Sequence, residues 1–101
     1  MNAHIEKNIQ SYSARFPTVK NLIVFPSWLP TKRLVASFDL DEKKHIVHFG
    51  QRGAKTYADG TTKIRQRSYK ARASKIKNNA GEYTYKIPGT ANSLSYFVLW
   101  I

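Results

Sequence analysis

The chain contains no cysteine, so disulfide staples and thiolate metal sites are excluded and packing alone must hold the fold. Acidic residues are scarce: six Asp and Glu stand against seventeen Lys and Arg, a net charge of +11. So few carboxylates leave few combinations for acid–base or metal chemistry. So large an excess of cations costs stability through self-repulsion unless a polyanion relieves it. Long apolar runs are missing too. The longest, Tyr96 to Ile101, falls far short of the roughly 20 residues that span a bilayer, and residues 1–16 hold no continuous apolar stretch of the kind a secretory signal needs. The expectation is a soluble protein without a transmembrane segment, not secreted by a signal peptide. Internal repeats and low-complexity segments are absent as well.

What is present predicts a folded globule. Hydrophobic residues make up 42% of the chain and aromatics 13%, spread along its length rather than clustered. At 101 residues this reads as a single domain over 1–101, with room for one site.

Periodicity then suggests the elements. Residues 3–14 predict a short helix, with Ile5 and Ile9 four apart and Pro17 ending it. Leu22 to Phe25, followed by Pro26 and Pro30, predicts a short strand and a bend, with Trp28 as a lid over the core. The clearest pattern lies at 33–50: Leu34, Ala36, Phe38 and Leu40 alternate with Val35, Ser37, Asp39 and Asp41. The chain turns over Asp41 to Lys44 and returns with Val47 and Phe49 alternating against Ile46 and His48, an antiparallel hairpin. Thr61 to Lys77, free of Pro and Gly, predicts a helix of about four turns. Tyr69, Ala73 and Ile76 would face inward, and Lys63, Arg67, Lys70, Ser74 and Lys77 outward, with Arg65 and Arg72 flanking Tyr69 at the edge of the stripe. Tyr83, Tyr85 and Ile87 suit a short strand closed by Pro88-Gly89. Thr90 to Ile101 suits a C-terminal helix capped by Thr90 or Ser93, with Leu94, Phe97, Val98 and Ile101 along one face. The fold expected is α+β, a small antiparallel sheet built on the central hairpin and packed by a basic helix and a C-terminal helix.

The glycine-rich stretch 48–60, HFGQRGAKTYADG, invites comparison with a phosphate-cradling loop. A P-loop needs four residues between its glycines and a lysine directly after the second. Here Gly50 and Gly53 are three apart and Ala54 separates Gly53 from Lys55, so the spacing rejects nucleotide hydrolysis. His45 and His48 are three apart on a strand and point to opposite sides, which argues against a shared metal. Asp39 and Asp41, about 7 Å apart on one strand face, would with Glu42 be the ligands of a small metal-dependent nuclease; a charged strand end countered by Lys43 and Lys44 is the simpler reading. No catalytic residue, metal or cofactor is assigned.

The basic helix weighs more. Lys63, Arg65, Arg67, Lys70, Arg72, Lys75 and Lys77 follow one another with no acid among them, so the helix lacks the i,i+4 pairs that would balance it. Something outside must compensate, and phosphates are the natural match, with Arg52 and Lys55 from the loop as a second patch. Tyr69 positions the helix.

The stretch 35–57 with its His48-Phe49-Gly50, Gly53 and Tyr57, the basic helix 62–77 with Tyr69 and Arg72, and Ser95, Leu99 and Trp100 together resemble a family of small uncharacterised basic proteins of large nucleocytoplasmic DNA viruses, marseillevirus-like and phycodnavirus-like. The resemblance covers 32–100 and leaves 1–31 as an N-terminal extension outside it. It implies a viral protein without established enzymatic activity, in the virion or in the host cytoplasm or nucleus. The function expected is non-catalytic nucleic-acid binding, DNA ahead of RNA. The rivals are a minor virion or host-interaction protein docking on an acidic protein partner or on itself as a homo-oligomer, and, third, the nuclease.

Overall fold

A computed structural model describes all 101 residues. Helix α1, Ala3–Arg15, precedes three strands, β1 (Lys20–Pro26), β2 (Lys32–Leu40) and β3 (Lys43–Gln51). A 3-10 turn at Tyr57–Asp59 leads into α2 (Lys63–Ala73), and a second at Thr84–Lys86 leads into α3 (Ala91–Leu94), which continues as a π-helical turn over Ser95–Leu99. The strands form one antiparallel sheet in the order β1-β2-β3. This is the α+β architecture that the sequence predicts.

The hairpin follows from the two-residue alternation. Leu34 pairs with Phe49, Ala36 with Val47 and Phe38 with His45 on the inner face, and Leu34, Ala36, Phe38 and Phe49 are buried in the core. The turn is tighter than expected, because Lys43 and Lys44 already belong to β3. Only Asp41 and Glu42 are left to bridge Leu40 to Lys43, and both take left-handed backbone angles, φ 53° and 64°, as a two-residue hairpin requires. Strand β1 lies at the sheet edge, where the missing N–H of Pro26 is tolerated.

Helix α1 and the C-terminal segment close the inner face. The Asn2 side chain caps α1 by accepting from the Ile5 amide. Ile5, Tyr12 and Phe16 then share one cluster with Leu94, Val98 and Leu99. The buried Tyr12 hydroxyl shares a 2.7 Å hydrogen bond with Ser93 Oγ and accepts from the Gly89 amide, and burial pushes its pKa up. Asn8, also buried, donates to the carbonyls of Val98 and Ile101. Residues 1–31, although outside the resemblance, thus supply Ile5, Tyr12, Phe16, Val19 and Val24 to the common core. The π turn makes Leu99 a core residue at 1% exposure, whereas Phe97 and Ile101 are half-buried. A regular helix had pointed to those two instead.

Four local expectations change. Trp28 is no lid: it is 63% exposed on the outer side of the sheet, edge-on to His48 with ring centroids 4.6 Å apart. Its loop is held there because Ser27 Oγ hydrogen-bonds His48 Nδ1 at 2.8 Å and accepts from the Leu29 amide. Helix α2 stops at Ala73, short of Lys77, because the Asn92 side chain captures the Ala73 carbonyl at 2.9 Å. Asn78 then accepts from the amides of Ala80 and Glu82 to form a turn. Ile76, expected inside, is 51% exposed. Residues 82–89 make no strand beyond a single bridge, Lys77 to Tyr83, closed by the Thr84 amide on the Ile76 carbonyl and the Asn78 amide on the Glu82 carbonyl; the 3-10 turn at Thr84–Lys86 then takes the chain out of pairing.

The sheet's outer face is only partly covered: Val35 is fully buried there, while residues around it stand exposed. Ile23, Ser37 and Ile46 form one cross-strand row, and Phe25, Val35 and His48 the next. Ile23 and Ile46 are 62% and 49% exposed.

Candidate nucleic-acid interface

The loop after β3 is fixed from both ends. Gly50 sits at φ +77°, and a Cβ there would come within 2.7 Å of Leu99 Cδ1, so the backbone passes close against the C-terminal segment. At the far end, Asp59 accepts a bidentate pair of hydrogen bonds from Arg33, at 2.5 and 2.6 Å. It also accepts from the Thr56 amide and hydroxyl and from Asn2 Nδ2. The Arg33 guanidinium, before the Thr56 donors, holds the Asp59 carboxyl far below the usual carboxylate range. Sequence reasoning missed this pin. Arg33 and Asp59 lie 26 positions apart and carry no local pattern; the one available signal was the Thr56-to-Asp59 capping box.

Across from this loop stands α2, capped by Thr62, whose hydroxyl accepts from the Arg65 amide. Its Tyr69 ring stacks on Trp100 with centroids 4.3 Å apart and planes 8° from parallel, and the Tyr69 hydroxyl shares a 2.7 Å hydrogen bond with Ser95 Oγ. Gln66 donates to the Trp100 carbonyl. Tyr69 therefore orients the helix, and burial raises its pKa against the opposing pull of Ser95 and the Arg72 charge.

Between loop and helix runs a cleft of about 730 Å³. Its walls are Gly53, Ala54, Lys55 and Thr56 on one side and Arg65, Ser68, Tyr69 and Arg72 on the other, with Ser95, Leu99 and Trp100 at its base. No carboxylate lines it. The helical wall has the spacing i, i+3, i+4, i+7, legible in the sequence once Tyr69 is taken as its centre.

The structure therefore divides the expected binding residues. Lys55, Arg65 and Arg72 share the cleft. Lys63 and Arg67 are exposed on α2 outside it, and Lys75 and Lys77 follow the helix end. Lys70 is half-buried, its ammonium 5.5 Å from the Tyr96 ring centre, and the ammonium of Lys77 lies 4.9 Å from that of Tyr83. Arg52 does not join Lys55 in a second patch: its guanidinium donates to the carbonyls of Ser27 and Leu29, at 2.8 and 3.0 Å, and ties down the Trp28 loop. Tyr83, itself exposed, bears on Lys77. The two ion pairs of the molecule are Arg33–Asp59 and Lys44–Asp39, so no cation of α2 has an acidic partner.

The acidic end is organised differently. Asp39 accepts from Asn21 Nδ2 at 2.8 Å and pairs with Lys44 at 3.7 Å, and these partners, Asn21 foremost, lower its pKa. No three His, Asp or Glu side chains converge as a metal site needs. No helix is long and apolar enough to cross a membrane.

Residues 22–73 match a family of unknown function (DUF5754), a span running from β1 to the end of α2 that includes both walls of the cleft. The chain is also similar to the uncharacterized protein L851 of Acanthamoeba polyphaga mimivirus, at 40% identity over 101 residues that cover 99% of this chain and 100% of the relative. The chain belongs to this uncharacterised family, which has a member in a large DNA virus. No solved structure matches it.

Proposed function

We propose that the chain is a non-catalytic nucleic-acid-binding accessory protein of a large DNA virus, the marseillevirus-like and phycodnavirus-like relatives included. It holds its target chiefly through phosphates and acts on viral DNA in the particle, or in the host cytoplasm or nucleus. One observation carries this reading: the exposed cations of α2 and the facing loop have no acidic partner in the molecule, while Asp59, in the turn just before α2, is taken by Arg33. Phosphates supply the missing counter-charge. A gel-shift titration against mixed-sequence duplex and single strand tests it. With roughly four phosphates neutralised, affinity drops about a hundredfold from about 50 to about 200 mM salt. Absent binding at low salt, or affinity indifferent to salt, would sink the reading.

A second reading rests on another surface. Ile23, Trp28 and Ile46 stand exposed on the outer sheet face, as they would if that face docked a protein, either an acidic partner that also engages α2 or a second copy. A solution-mass measurement on the purified chain, repeated on Trp28→Ser/Ile46→Ser, tests the self-associating form. A stable oligomer that dissociates in the variant favours it.

A further inference from the structure

The cleft differs from the rest of the basic surface in shape and in lining. Arg65 and Arg72 are seven residues apart on one wall, about 10 Å along the helix axis, and Lys55 faces them from the loop. All three side chains are exposed, and no carboxylate competes for them. The Tyr69–Trp100 stack lines the same cleft. A cationic groove that also offers aromatic surface is the arrangement by which single strands are held, the charges tracking the backbone and the rings meeting the bases. The loop also walls this face of α2, which keeps the helix from entering a duplex groove with these residues leading. A duplex is left the outer cations, Lys63 and Arg67.

We propose that the cleft is a single-stranded nucleic-acid site. Lys55, Arg65 and Arg72 bind phosphates of one strand, and the Tyr69–Trp100 pair is the aromatic surface against which a base lies. This rests on the nucleic-acid reading above and adds the class of strand. A free nucleotide carries the same phosphate chemistry and is separated from a strand by the test.

The experiment uses the full chain carrying Trp28→Phe, which leaves Trp100 as the one tryptophan; Trp28 is exposed, so the change is benign. The emission of Trp100 is followed during titration with a mixed-sequence single-stranded DNA, with the duplex of the same sequence and with a nucleoside monophosphate. The single strand is expected to shift the emission and to bind about tenfold more tightly than the duplex at equal salt, the worth of about one stacked base. A duplex that binds as tightly as the strand, or a bound strand that leaves Trp100 unmoved, overturns the proposal. So does a monophosphate that saturates the shift at the strand's own concentration. Two variants of equal charge loss give the second arm. Lys55→Gln/Arg65→Gln/Arg72→Gln is expected to lose about tenfold more single-strand affinity than Lys63→Gln/Arg67→Gln/Lys75→Gln; equal losses overturn the cleft assignment. Binding of strand and duplex alike with an ordinary salt dependence would leave the broader nucleic-acid reading standing, and binding of neither would remove both.

Discussion

At the corner where the 50–60 loop meets β2, each guanidinium has an internal partner; along α2, no cation has an acidic one. Arg33 grips Asp59 with both ends of its fork, and Arg52 holds two carbonyls of the Trp28 loop. Arg65 and Arg67 bond to no acid, and Arg72 reaches only its own helix's Ser68 carbonyl, at 3.5 Å. The difference shows that the density of basic residues along a chain says little until the structure reveals which of them are already occupied. The corner cations maintain shape. Those of α2 are maintained by that shape and left available.

The sharpest way to probe this contrast is Asp59→Ala, which strands a part-buried Arg33 and removes the capping of the 57–59 turn. It should lower unfolding free energy by about 2–3 kcal/mol in chemical denaturation, while the salt dependence of nucleic-acid binding by the folded fraction stays as in the parent. A loss below about 0.5 kcal/mol, within the range of an ordinary surface change, would erase the distinction between corner and helix.

The same carboxylate sets an acid limb. Its pKa is depressed in the folded chain, so its contribution is complete above the unfolded value of about 3.9 and fades as pH falls from there toward the folded value. The gap in melting temperature between parent and Asp59→Ala should therefore be constant above about pH 5 and narrow below about pH 4. A gap that widens on acidification would contradict the ion pair.

Arg52→Gln should cost about 1 kcal/mol, since two hydrogen bonds to carbonyls go and the loop is otherwise held by Ser27. Nucleic-acid affinity should move less than for any cleft residue. Smallest in stability is Arg65→Gln/Arg67→Gln, expected within about 0.5 kcal/mol of the parent because no internal bond is broken. Yet it should flatten the salt slope by about 0.9 for each phosphate that the variant no longer neutralises. A large destabilisation in this variant would mean that the helix cations are structural after all.

How much of this was legible in the sequence depended on the range of the interactions involved. The hairpin could be read because strand alternation is local and one face is buried, so Leu34, Ala36, Phe38 and Phe49 announce their side. Helix α1 and the Thr90 cap could be read for the same reason. What resisted was set by partners far along the chain. Ala73 ends α2 because of Asn92, the Trp28 loop swings outward because of His48 and Arg52, and Arg33 finds Asp59 across 26 positions. The cleft was half legible. Arg65 and Arg72 stood out beside Tyr69, but only the tertiary packing brings Lys55 opposite them and separates Arg52 from it.

The clasp between α1 and the C-terminal segment bears on how the chain is made. His4 and Asn8 bond to the Ile101 carbonyl, and Tyr12 to Ser93 and Gly89, across sequence separations of 77 to 97 residues. Contacts that distant raise the contact order and defer closure of the core, since the loop entropy must be met before the contacts reward it. During synthesis at about 5–20 residues per second, α1 and the hairpin would wait for residues 89–101 to clear the ribosome before their shared core could form. Through that interval the inner face of the sheet lacks the C-terminal residues Leu94, Val98 and Leu99 that complete its core.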